Sequence, residues 1–338
     1  MLPVQSLTFA AQECDEANGF GAYHDLYANG SDVGLTGGPF AARVRAHRFE
    51  RMIVFDRYNS GVSHGRDAAR VRRDGFDHIA LQLLISGRLA GGRPGDERAL
   101  APGEIILFDM TQPQRTRADD ARLITVSLAR EVVEAVAPVT GGLHGTILPQ
   151  VTAGLLGDFM TSLARRGDTL SAGTAARAGR MVAELLAAAL GEGDLRPAAA
   201  SSADQILMLK RERAEAVIEA RLADPGLDVE AVASVLGVSR SVLYRLFEPS
   251  GGVAQYIQHR RLERLRAALR RLGETRSIVA LAYDHGFASE SHCSRAFRAA
   301  YGLPPGQYRA EMNRARLARQ SEDGSAQGRL ASWHSELY

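Results

Sequence analysis

Two stretches in the last third of the chain repeat one pattern, and that repetition limits the fold more than any other feature. The first is DVEAVASVLGVSRSVLYRLF, residues 228–247. Asp228 is a good helix N-cap, because its carboxylate can accept a free first-turn N–H. Val229, Val232, Ala233 and Leu236 then recur at helical spacing. Gly237 can take the left-handed conformation that ends a helix, and Ser239 can cap the next one. The second helix buries Val242, Leu243, Leu246 and Phe247, and leaves Arg240, Ser241, Tyr244 and Arg245 outward. The second stretch is SIVALAYDHGFASESHCSRAF, residues 277–297. Ser277 caps, Ile278, Leu281 and Ala282 face inward, and Gly286 turns. Ser289 then caps a helix that buries Cys293 and Phe297 and exposes Glu290, Ser291, Ser294 and Arg295. Ala233 aligns with Ala282, Gly237 with Gly286, Arg245 with Arg295 and Phe247 with Phe297, with one extra residue in the second turn. Helix, glycine turn and helix with a polar outer face make a helix-turn-helix. Any short helix pair can imitate one such unit; two in tandem, each ending Arg-x-Phe, are far more specific.

The spacing between the units has a mechanical meaning. VAQYIQHRRLERLRAALRRL, residues 253–272, reads as one continuous helix. It would be about 30 Å long. Successive major grooves on one face of double-stranded DNA are about 34 Å apart. A rigid helix of that length is expected to hold two recognition helices in adjacent grooves. Arg260, Arg261, Arg264, Arg266, Arg270 and Arg271 would lend phosphate-neutralising charge, although they fall all round the helix and some must be a solvated face. Charge follows the same division. Residues 205–320 carry 19 basic and 12 acidic side chains, a net +7, against −3 for residues 1–204. Such asymmetry fits a basic module with a polyanion partner, and equally a well-solvated helical surface.

With 338 residues, two domains are expected. From about Ala41 to Arg130 the pattern is strand-like. VRAHRFERMIVFDRY, DHIALQLLISGRL, EIILFDM and ARLITVSLA are short alternating or β-branched runs punctuated by Gly and Pro, which points to an antiparallel sandwich or barrel. Leu155, Leu156, Phe159, Met160 and Leu163, then Met181, Val182, Leu185, Leu186 and Leu190, mark two amphipathic helices, whose stripes either pack on the strands or form a dimer seam. GEGDLRPAAASSAD, residues 191–204, reads as a linker. The acidic, Ser/Gly-rich end reads as a frayed tail; Leu330, Trp333 and Leu337 at i, i+3, i+7 give a short docking helix as the alternative. Cys14 and Cys293 sit in no metal-ligand or disulfide pattern and fit a reducing cytoplasm. No signal-peptide pattern and no membrane-length apolar run is present, so no membrane partner is expected.

On these motifs, residues 207–311 resemble the DNA-binding domain of the AraC/XylS family of bacterial transcription regulators. VASVLGVSRSVLYRLF, YIQHRRLERLRAAL and IVALAYDHGFASESHCSRAFRAAYGLPPGQYR carry the resemblance. It implies base contacts from Arg240, Ser241, Tyr244 and Arg245, and from Glu290, Ser291, Ser294 and Arg295. Cys293 departs from the family's usual Phe, and the loop SGGVAQYI is two residues shorter than its G-x-x-P-x-x-Y form. LQLLISGRL and APGEIILFDM resemble the family's sensing domain, a cupin-like barrel followed by two helices that binds a small organic effector and often dimerises. The whole is expected to be an α+β two-domain protein. A cupin-like antiparallel β-barrel with two following helices occupies residues 1–190, and an all-α tandem helix-turn-helix domain residues 205–313, with a tail at 314–338. The function expected is that of an effector-responsive activator in the bacterial cytoplasm, with DNA, RNA polymerase and a second copy of the chain as partners.

The alternative from a different class is a cupin-type metal-dependent enzyme with an accessory DNA-binding domain. Such a site needs two or three imidazoles and a carboxylate converging on one metal. His24, His47, His64, His78 and His144 are scattered, with no His-x-His pair, so no metal, cofactor or catalytic residue is assigned. No Gly-rich phosphate loop or G-x-S-x-G elbow is present. For the effector, His47, His78 and Gln82 are the polar candidates. His78 and Gln82 share a strand face with Ala80 and Leu84, opposite Ile79, Leu81, Leu83 and Ile85; His47 shares one with Phe49 and Ile53.

Overall fold

The computed structural model describes residues 4–13, 18–136, 142–192, 202–248, 251–271, 273–321 and 325–337. They form two compact units, one from residues 1–195 together with 318–338, the other from 196–317. Most of the linker expected at 191–204, and Cys14, lie outside the described residues.

In the first unit the described strands are β1 (Gln5–Ala10), β2 (Asp32–Leu35), β3 (Ala41–Phe49), β4 (Met52–Ser60), β5 (Val62–Arg66), β6 (Ile79–Arg93), β7 (Asp96–Leu100), β8 (Ile105–Asp109), β9 (Gln114–Leu128) and β10 (Ile147–Leu148). All pairings are antiparallel, in the order β1-β3-β4-β9-β6-β8-β10, with β2 on β5, β5 on β9 and β7 on β6. The long strands β6 and β9 give the cupin-like barrel its bend. Their register shifts between Leu84 and Arg88, where Gly87 takes φ +85° and a Cβ would lie 1.8 Å from the Asp120 carbonyl oxygen. Only glycine fits that approach.

The helices of this unit are α1 (Gly19–Tyr27), α2 (Ala68–Asp74), α3 (Arg130–Glu134), α4 (Gln150–Arg166) and α5 (Ala172–Glu192). Alternation along β6 sorts the two faces. Ile79, Leu81 and Leu83 pack with Leu156, Met160, Leu163, Val182 and Leu186 of α4 and α5, while Ala80 and Leu84 join the barrel interior. The helical stripes therefore cover the sheet, leaving Val151, Leu155 and Met181 exposed.

The second unit is helical: α6 (Ser202–Ala220), α7 (Val229–Leu236), α8 (Arg240–Phe247), α9 (Val253–Arg270), α10 (Ile278–Asp284), α11 (Glu290–Tyr301) and most of α12 (Pro305–Ser321). It has two cores. Val253 and Ile257 of α9 close the first around Leu243 and Phe247; Leu262, Leu265 and Leu269 close the second around Leu281 and Phe297. The connecting helix ends at Arg270, with Arg271 extended, rather than at Leu272, which lies outside the described residues.

The chain's end departs from the expected frayed tail. A last helix, α13 (Ala326–Ser335), belongs to the first unit, and the docking alternative is what forms. Leu330, Trp333 and Leu337 are buried in the core of the barrel interior, the first two on one face of the helix and Leu337 in the turn that follows it.

Candidate nucleic-acid interface and effector cavity

Local chemistry fixes both helix-turn-helix units. Asp228 accepts from Ala231 N–H at 2.8 Å, Ser239 from Val242 N–H at 3.4 Å, Ser277 from Ala280 N–H at 3.1 Å and Ser289 from His292 N–H at 3.2 Å. Gly237 and Gly286 are left-handed, at φ +63° and +78°. Each turn is sealed by the same backbone bond, Val238 N–H to Ala233 O at 3.1 Å and Phe287 N–H to Ala282 O at 3.0 Å. Burial of Leu243, Leu246 and Phe247 in α8, and of Cys293 and Phe297 in α11, fixes which faces remain outward. Burial raises the Cys293 thiol to about 11, so the residue is an apolar filler there.

The outward faces match position by position. On α8 they are Arg240, Ser241, Tyr244 and Arg245; on α11 they are Glu290, Ser291, the half-buried Ser294 and Arg295. Arg240 is paired to Glu230 at 2.7 Å, and its hydrogen bond with Tyr244, then Glu230, raises its pKa. The Ser241 hydroxyl bonds Ser239 at 2.9 Å. Arg245 and Arg295 make no ion pair or side-chain hydrogen bond among the described residues, which leaves both guanidinium forks available to a ligand. The exposed Arg298, not among the contacts expected from the sequence, continues the α11 face by one turn, and its i+4 spacing from Ser294 is the signal that could have found it.

The arginines of α9 behave otherwise than expected. Arg260 and Arg264 converge on Glu219 of α6, the second at 2.8 Å, and Arg260 also reaches Glu263 at 2.7 Å. Arg261 donates to the carbonyls of Leu222 (3.0 Å) and Asp224 (2.7 Å), and burial lowers its pKa. Arg266 lies 4.9 Å over the Tyr301 ring and donates to the Tyr308 hydroxyl at 3.1 Å; Arg270 is also buried. Most of this run therefore holds the second unit together, and Arg271 is the exposed member without such a tie among the described residues.

In the first unit, a cavity of about 80 Å³ opens on the interior face. His78 and Gln82 line it, as do Arg57, His64, Gln114 and Thr125. His47 does not. Alternation turns it to the helix-covered side, where its ring bonds Ser6 at 2.8 Å and the Ala164 carbonyl at 3.2 Å. Burial lowers its pKa, the Arg45 charge adding to the effect. His64 bonds the Tyr23 hydroxyl at 2.8 Å, and burial, assisted by Arg57, pushes its pKa down to about 3. His144 accepts from Asp109 N–H at 3.1 Å and bonds the Pro113 carbonyl at 2.9 Å. Each of these imidazoles has a structural role, and among the described residues no group of His, Cys, Asp or Glu is arranged to hold a metal ion.

Comparison with known proteins agrees with both halves. A model of a helix-turn-helix domain matches residues 232–311, and one of an AraC-binding-like domain matches residues 27–191. The chain belongs to the AraC family. It is a DNA-binding transcription regulator. The transcriptional activator NphR of Rhodococcus sp is 28% identical over 252 residues, covering 73% of this chain and 74% of that protein. The activator RclR of Escherichia coli is 35% identical over 104 residues, 30% of this chain and 37% of that one. The crystal structure of the AraC-like transcriptional activator CuxR is 26% identical, with a TM-score of 0.53, covering 77% of this chain and 94% of that one. These relatives are transcription regulators and give the metal-enzyme alternative no support. No helix among the described residues is long and apolar enough to cross a membrane.

Proposed function

We propose that this AraC-family protein is an effector-responsive activator that sets α8 and α11 into successive major grooves on one face of its operator. The matched outward faces carry this reading, with unpaired Arg245 and Arg295 at equivalent places. An arginine fork aimed at guanine O6 and N7 is the commonest specific major-groove contact. Helix α9, 18 residues and hence about 27 Å long, supplies the span between the units. Arg240, Ser241, Tyr244, Glu290, Ser291 and Ser294 complete the reading surface, and Arg271 and Arg298 meet phosphates. In the first unit a small organic effector occupies the interior cavity and contacts His78 and Gln82. RNA polymerase and a second copy of the chain complete the complex, which works at the bacterial nucleoid.

Selection of bound sites from a random duplex library by the full chain, followed by footprinting, tests this. The expected footprint has two protected segments about one helical turn apart on one face. Binding without sequence preference contradicts the reading. A promoter reporter scanned against small organic compounds tests the effector arm separately.

A further inference from the structure

One wall of the interior cavity comes from the far end of the chain. Leu330, Ala331 and His334 of α13 form part of the cavity wall. The His334 imidazole lies nearly parallel to two phenyl rings, at 13° and 5.2 Å from Phe76 and at 21° and 6.0 Å from Phe55. A flat ring thus stacks there on two aromatic side chains. Beyond it lies a polar wall with unmet demand. Arg57, 7% exposed, gives one nitrogen to the Thr125 hydroxyl, and among the described residues its Nε and the buried side-chain oxygens of Gln82 and Gln114 have no partner. No Asp or Glu is among the described residues that line the cavity, so the Arg57 charge is uncompensated there.

We propose that α13 is a built-in plug of the effector cavity, and that the effector is a small ring-bearing carboxylate that takes the place of His334 and expels the helix. The proposal rests on the reading of the barrel as the effector site. Volume decides between coexistence and exchange. About 80 Å³ is open with the helix seated. A cavity that holds one benzene ring measures about 150 Å³. The open space is about half of that, so a ring enters only where the His334 side chain now stands. The ring stacks on Phe76 and Phe55, the carboxylate meets Arg57, and the two glutamines hold the remaining polar edge.

The plug is held by means that a ligand can overcome. Three apolar side chains, Leu330, Trp333 and Leu337, anchor it. Its end is tied by Glu336, whose carboxylate pairs with Arg48 and whose carbonyl accepts from Arg51 at 2.7 Å, and by Trp333 Nε1–H to Gln5 at 3.2 Å. Because the DNA-binding unit lies in sequence between α5 and α13, a seated plug ties that unit to the barrel at both ends, and an expelled one at a single end. Effector binding thereby changes the freedom of the DNA-binding unit by connectivity alone.

Trp333, the only tryptophan of the chain, reports the plug directly. Benzoate titrated into the full chain is expected to shift Trp333 emission to the red, saturably, in step with the heat of binding. Benzamide, its neutral isostere, should bind at least about tenfold more weakly, and Arg57→Gln should abolish the difference. His334→Ala in the full chain, and a chain ending at residue 324, should bind benzoate about tenfold or more tightly, since the competing occupant is weakened or gone. Benzoate binding with unmoved Trp333 emission and equal affinity in both variants overturns the plug. Equal affinity for benzamide, or binding of other compounds but not benzoate, overturns the carboxylate class. A chain ending at 324 that folds but is stabilised by no compound brings down the effector-site reading itself.

Discussion

The turn glycines of the two helix-turn-helix units offer an internally controlled test, because they share one role but not one environment. Gly237 is left-handed at φ +63°, and a Cβ added there meets nothing within 4 Å among the described residues. Gly237→Ala should therefore lose only the left-handed penalty, about 1–2 kcal/mol. Gly286 is left-handed at φ +78°, but a Cβ would lie 2.4 Å from the Leu222 carbonyl oxygen and 2.8 Å from Arg261 Nε. That contact must push apart the 3.0 Å bond between them. Breaking a hydrogen bond to a charged group adds about 1.5–3 kcal/mol. Gly286→Ala is thus expected to cost about 2.5–5 kcal/mol, two to three times its counterpart. Urea unfolding of a fragment spanning residues 202–320, followed by circular dichroism, measures both. Arg261→Gln in the Gly286→Ala background should recover part of the loss, because the crowded guanidinium is gone. Equal losses at the two glycines would refute the argument that Arg261 and Leu222 set the second turn.

Three further outcomes follow from the same geometry. Arg266→Gln should destabilise the second unit by about 1–3 kcal/mol yet leave the salt dependence of DNA binding unchanged, whereas Arg298→Ala should reduce the slope of log K against log salt by about 0.9. Asp74→Ala should cost about 3–5 kcal/mol in a melt of the first unit, since it strands Arg66, which is fully buried and bonded to Asp74 at 2.6 and 3.0 Å. His64, held neutral with its pKa near 3 against 6.5 when unfolded, should make the first unit lose stability as pH falls below 6.5, because the unfolded chain takes up the proton that the fold refuses. The lost slope is about 1.4 kcal/mol per pH unit, and acid titration of His64→Gln should be shallower by about one proton.

What the sequence disclosed depended on how local the cause was. The caps at Asp228, Ser239, Ser277 and Ser289 and the glycine turns act within four residues, so both helix-turn-helix units and their outward faces were legible. The strands β3, β4, β6, β8 and β9 announced themselves by alternating or β-branched apolar runs. The short strands did not: β5 is VSHGR and β1 is QSLTFA, segments held by partners more than twenty residues away. Alternation put His78 with Gln82 and His47 with Phe49, but which face the helices cover is decided by α4 and α5, and that sends His47 away from the cavity. The arginines of α9 carried the same ambiguity. Nothing near Arg260 or Arg261 in sequence shows that Glu219 and the Leu222 carbonyl, some forty residues earlier, engage them. The apolar spacing of Leu330, Trp333 and Leu337 was visible; its partner, the barrel interior, was not.

The most direct test of the central claim is a pair of substitutions, Arg245→Ala and Arg295→Ala, measured at one salt concentration against the selected operator and a random duplex. If α8 and α11 read bases, each substitution should weaken operator binding by about 1–3 kcal/mol, roughly 5- to 150-fold, while binding to random duplex changes far less. Equal weakening on both duplexes would make the two arginines phosphate contacts, and no weakening on either would contradict the assignment of these helices as the reading surface.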